Sequence, residues 1–282
     1  MSWEQLEKIF DRALQRSLSK KKNLFMIPIL VLCGLLTVVC RALALGAGDW
    51  VLLSLTFLPV FLSSGLLLAA GVVLIRVYFQ EFKTQELNFK ATLQRSWQVL
   101  INVSYLSMPL LMVYLLLWTL MGVFYLLKEL PALGDFLSVI LAFAPFLLIL
   151  GSMLLGLFNI VMLFFVTPAV ALKTGVRFKL IEVVYARLRQ GVFSNCLYLI
   201  LALLPLALCV GLLWIAAQVT GASFFSGLGA LSQIFQWFFV MIPFATLLSP
   251  SVIFFFNFST ECFLLQSRKE NIAPEEEICE TL

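Results

Sequence analysis

An all-α polytopic membrane protein is the fold class this sequence predicts, with six transmembrane helices in three helical hairpins, each preceded by an interfacial amphipathic helix. Three observations predict it. Only 12% of the 282 residues are charged and the mean hydropathy is +1.05, whereas a soluble domain carries about 25% charge. The apolar runs reach or exceed the ~20 residues that a helix needs to cross a bilayer, and the ~10-residue alternating segments of a membrane β-barrel are missing. The 19 lysines and arginines gather at residues 8–22, 76–95, 173–189 and 268–269, with only Arg41 and Lys128 elsewhere.

Residues 1–22 have the spacing of a helix lying on a membrane surface. Trp3, Leu6, Phe10, Ala13, Leu14 and Leu18 fall on one side, and Glu4, Glu7, Lys8, Asp11, Arg12, Gln15 and Arg16 on the other. Lys20, Lys21 and Lys22 follow at the membrane edge, where each gains about 1 kcal/mol from anionic lipid. The first span is expected from Leu24 to about Gly46. Arg41 stands about 25 Å along that helix from Leu24, near the far face of a ~30 Å core, with Asp49 close enough in sequence to pair with it. Gly46-Ala47-Gly48-Asp49 allows only a tight hairpin before a second span over about Trp50–Gln80.

From Leu87 the pattern repeats. Phe89, Leu93, Trp97 and Leu100 recur at helical spacing with Lys90, Gln94, Arg95 and Gln98 between them, and a third span runs over 101–127. Polar residues, a proline and a glycine between Lys128 and Asp135 mark a loop. No charge appears from Phe136 to Leu172; as one straight helix this is about 55 Å, so Pro145 and Pro168 are expected to supply a kink and an exit. A third amphipathic segment sets Leu180, Ile181, Val184 and Leu188 against Lys179, Glu182, Arg187 and Arg189. From Gln190 to Thr260 the sequence is again free of charge. That length holds two spans, about 192–217 and 231–258, around a glycine-containing loop. The tail, 267–282, is acidic and reads as a disordered cytoplasmic segment.

Residues 1–266 therefore form a single transmembrane domain with repeat units of about 1–80, 84–170 and 177–266. Leu14-Gln15-Arg16-Ser17 recurs as Leu93-Gln94-Arg95-Ser96 in the same place of the second unit, which supports duplication. The returning span of each unit carries small residues four apart, Gly65 and Ala69, Ser152 and Gly156, Ala245 and Ser249, a spacing that lets helices approach closely. These spans are expected at the bundle centre. Basic residues favour the cytoplasmic side, which places both termini and the amphipathic segments there.

Histidine is absent, which removes HExxH metalloproteases and Ser/His or Cys/His hydrolases. A Gly-rich phosphate loop and a CxxC pair are also missing, and the spans carry no mid-depth carboxylate of the kind that couples transport to protons or sodium. No catalytic, cofactor or metal-ligating residues are assigned, no cofactor is expected, and nucleic acid is not an expected partner. What remains is a set of candidate lipid-headgroup or interfacial cations, Lys20, Lys21, Lys22, Arg76, Arg95 and Arg187, and a set of intramembrane polar groups, Arg41, Asn159, Asn257 and Glu261. Glu261 is placed to pair with Arg76, and the two asparagines to hydrogen-bond between helices.

Six spans with amphipathic helices before the odd ones, and Val166-Thr167-Pro168-Ala169-Val170 ahead of a basic amphipathic helix, resemble the membrane domain fused to some bacterial glycerophosphodiester phosphodiesterases. The resemblance implies a bacterial inner membrane and a link to lipids. No soluble phosphodiesterase domain is present in this sequence, so that activity is not carried over. The expected role is a non-enzymatic one in lipid handling or scaffolding, with membrane lipids as partners; the alternative is a permease-like transporter.

Overall fold

The computed structural model describes residues 3–45, 48–82, 107–128, 143–172, 192–219 and 230–270. Among them every regular element is helical. The helices are α1 (Trp3–Ser17), α2 (Lys20–Leu43), α3 (Asp49–Phe82), α4 (Met108–Lys128), α5 (Ala144–Leu172), α6 (Val192–Val219) and α7 (Ala230–Glu270). Five of them, α2, α3, α5, α6 and α7, are long and apolar enough to cross a membrane, and the apolar run of α4, Met108–Phe124, is shorter. This is the make-up of a multi-pass membrane protein. The amphipathic segments expected at 87–100 and 177–189, with Arg95 and Arg187, lie outside the described residues, as do 271–282.

Helices α3 and α7 hold the centre. Helix α3 packs on α2, α4, α5 and α7, while α7 packs on α1, α2, α3, α5 and α6. Every residue from Ala70 to Phe79 and from Ser251 to Phe263 is buried, so each helix is covered on all sides over those turns. They approach tightly at Gly71, where a Cβ would sit 2.4 Å from Cε1 of Phe256. Only glycine fits there without a shift. Gly65, Ser152 and Ala245 are buried too. Helix α6 is covered least, and its outer face, with Leu208, Leu212 and Trp214, is exposed, as a lipid-facing surface is. A smaller apolar cluster joins α3, α4 and α5 through Phe61, Tyr114, Trp118, Met121 and Leu148.

Four expectations are corrected. Pro145 does not kink a long helix: it is the second residue of α5, in the first turn, where the missing N–H has no intrahelical bond to break. Pro168 lies inside α5, which continues to Leu172 rather than ending. Helix α7 runs well past 258, to Glu270, because Glu261 and the residues around it are enclosed by other helices. The buried stripe of α1 is also rotated from the expected one. Leu6, Ile9, Ala13 and Ser17 are buried, while Leu14 and Leu18 are exposed. The stripe faces α7, with Phe10 against Phe254 at 4.9 Å and Phe258 at 6.1 Å between ring centroids. Burying such side chains away from water is worth about 1.5–3 kcal/mol each, and here protein rather than lipid supplies the cover.

Candidate functional site

The charged groups of α1, α2, α3 and α7 meet at one end of the bundle. The sequence brings none of them together; the turn between α1 and α2 does. Only Leu18 and Ser19 separate these helices. Asn23 Nδ2 donates to the carbonyls of Ser17 and Ser19, both at 3.1 Å, and Asn23 Oδ1 accepts from Ser249 Oγ at 2.8 Å. One side chain thus closes the turn and fixes it to α7. Asn257, fully buried, donates from Nδ2 to the carbonyl of Ala13 at 3.4 Å, a second tie between α7 and α1.

Lys22 follows directly from that turn. It shares the phase of Met26, Leu30, Gly34 and Val38, all buried on α2, and its side chain is 0% exposed. Its Nζ donates to Glu81 Oε2 at 2.5 Å and lies 5.0 Å from the centroid of the Tyr78 ring. Glu81 is 17% exposed, so the pair has one edge at the surface. Tyr78 then carries the network across the bundle: its hydroxyl donates to Glu261 Oε1 at 2.6 Å. The same carboxylate oxygen lies 3.5 Å from Nη1 of Arg12. Arg16 stacks over Tyr78 at 5.3 Å and over Phe82 at 5.8 Å, and Arg12 lies over the same Phe82 ring at 5.7 Å. Two carboxylates, from Glu81 and Glu261, therefore face three cations, Arg12, Arg16 and Lys22.

The candidate residues separate accordingly. Lys20 and Lys21 are exposed and free to meet headgroups, whereas Lys22 is buried and engaged by Glu81. Arg76 is buried and donates from Nε to the carbonyl of Ala171 on α5 at 3.2 Å. Glu261 takes Tyr78 and Arg12 as partners. Asn159 is buried on α5. Arg41 lies at the other end, exposed, with its guanidinium 5.0 Å from the ring of Trp237; the side chain of Asp49 is outside what is described. Tyr78 and Glu81 carry no signal in the sequence, and Arg12 and Arg16 read there only as part of the polar face of the first amphipathic segment. The signal for Lys22 was its helical phase, four residues before Met26. Nothing local marks Tyr78.

Among the described residues no group of three or more His, Cys, Asp or Glu side chains is placed to hold a metal ion. The arrangement offers fixed positive charge at a helix-bundle end, beside a Tyr78 hydroxyl bonded to the Glu261 carboxylate. Around it, Leu14, Leu18 and Leu24 are exposed, the last two at 66% and 77%. Cations and bare leucines on one rim define a surface suited to a lipid–water boundary. No family model, curated protein or solved structure matches the chain.

Proposed function

We propose that the protein is a non-enzymatic, six-span protein of the bacterial inner membrane, with both termini cytoplasmic, that gathers anionic lipid and acts in lipid handling or as a membrane scaffold. The observation that carries this reading is the juxtaposition of Lys20, Lys21 and Arg12 with exposed Leu14, Leu18 and Leu24. A cation gains about 1 kcal/mol beside an anionic leaflet, and a leucine beside it enters the acyl boundary. The resemblance to the phosphodiesterase-fused membrane domain would carry the same lipid setting.

Transport is the second reading, and it needs a polar path between the helices. Apolar packing weighs against it: Val72, Leu74, Ile75, Ile253, Phe254 and Phe256 are buried in one apolar core. The chain is also free of charge between Lys22 and Arg41, between Asp49 and Arg76, and through α5, α6 and α7 up to Glu261. The test is lipid co-purification. Protein extracted with its annular lipid is expected to be enriched in phosphatidylglycerol over the bulk membrane, and to lose part of that enrichment with Lys20→Gln and Lys21→Gln. No enrichment, and no change on neutralisation, contradicts the proposal.

A further inference from the structure

Within the buried network one pair of cations is not balanced. Lys22 is matched by Glu81. Arg12 meets Glu261, which already accepts the Tyr78 hydroxyl, at 3.5 Å, and Arg16, one helical turn further along α1, has no ion pair among the described residues. Like charges at this spacing repel on a helix surface, yet both guanidinium groups are held within 6 Å of the Phe82 ring centroid. Arg16 keeps Nη1 buried with no hydrogen-bond acceptor among the described residues. Phe82 is exposed along one face, and the Arg12 side chain is 42% exposed, so the pair can be reached from outside.

Two planar guanidiniums stacked on one aromatic ring, with more donors than acceptors, fit an oxyanion with several oxygens. We propose that Arg12 and Arg16 on Phe82 form a clamp for a phosphate group, that of an anionic lipid headgroup. The clamp rests on the lipid reading above and narrows it to one site and one ligand chemistry. The phosphate supplies the negative charge that Glu261 alone does not, and Leu14 on α1 and Leu18 in the turn after it, both exposed, adjoin the acyl chains. A soluble phosphate shares the oxyanion but not the chains.

Native mass spectrometry of the full chain in a neutral detergent, titrated with phosphatidylglycerol against phosphatidylcholine, tests this. Arg12→Gln with Arg16→Gln is expected to weaken phosphatidylglycerol binding at least tenfold. Lys20→Gln with Lys21→Gln is expected to weaken it less than threefold. Arg12→Lys with Arg16→Lys keeps the charge, guards against a folding defect, and is expected to lose several-fold because an ammonium lacks the planar fork. Equal binding by the Gln pair and the parent chain overturns the clamp. If neutralising Lys20 and Lys21 lowers binding and neutralising Arg12 and Arg16 does not, the clamp falls and the broader lipid reading stands; if neither neutralisation does, both fall. Inorganic phosphate at equal concentration is expected not to displace the lipid, and displacement would overturn the assignment to a lipid headgroup.

Discussion

Ser259 Oγ on α7 donates to the carbonyl oxygen of Phe164 on α5 at 2.5 Å. Phe164 stands four residues before Pro168, so its carbonyl is the one that the proline, lacking an N–H, leaves without a helical donor. In an apolar interior such a group has no water to turn to. A hydroxyl from the neighbouring helix takes the place of the missing N–H, and one turn position away Thr167 Oγ1 donates back to Leu163 at 2.6 Å. The break in α5 is thereby made into a contact with α7.

Removing that hydroxyl is expected to destabilise. Ser259→Ala leaves a buried carbonyl unpaired, at about 1–2 kcal/mol. In a Pro168→Ala background the backbone N–H returns and the cost of Ser259→Ala is expected to fall by more than half. A double-mutant cycle on thermal unfolding in detergent reads the coupling; additive effects would show that the two residues do not act as a unit.

The α3–α7 crossing makes a different demand. At Gly71 a Cβ would stand 2.4 Å from the Phe256 ring, which is itself buried and cannot swing aside. Gly71→Val is expected to lose about 1–3 kcal/mol through overpacking, with a lowered melting temperature. Phe256→Leu in the same chain is expected to recover part of the loss, and a failure to recover would place the strain elsewhere.

Lys22 and Glu81 respond to single and double changes in opposite ways. Lys22→Met leaves Glu81 without its cation, and Glu81→Leu leaves a fully buried ammonium uncompensated; the latter is expected to cost about 3–5 kcal/mol. The double variant, Lys22→Met with Glu81→Leu, removes both charges and is expected to lie close to the parent in thermal stability. If the double variant is as unstable as the worse single one, the pair is not the reason Lys22 can be buried.

These residues also show how far the sequence could be read. Helix positions followed from apolar run length, because a charge-free stretch of membrane-spanning length has few alternatives in lipid. The stretch from Lys22 to Arg41 on α2, about 28 Å of helix, is one case. The burial of Lys22 was written in its phase with Met26, Leu30, Gly34 and Val38, but three consecutive lysines read as one basic patch when phase is ignored. Pro145 and Pro168 break the same local bond; only the start of α5 at Ala144 decides that the first is harmless, and a uniformly apolar run does not mark where that start falls. Small residues at Gly65 and Ala69 showed that α3 could approach a neighbour. That Phe256 would meet Gly71 is tertiary information, as is the choice of Tyr78 and Arg12 as partners of Glu261. The sequence placed cations at the right end of the bundle and left their pairing open.

All of this depends on apolar helices that cross the lipid with the basic connectors held on one side. Reporter fusions after residues 47, 85, 175 and 282 measure that directly. The account predicts cytoplasmic activity at 85, 175 and 282 and the opposite side at 47. A reporter at 85 or 175 on the other side of the membrane from the one at 282 would contradict it.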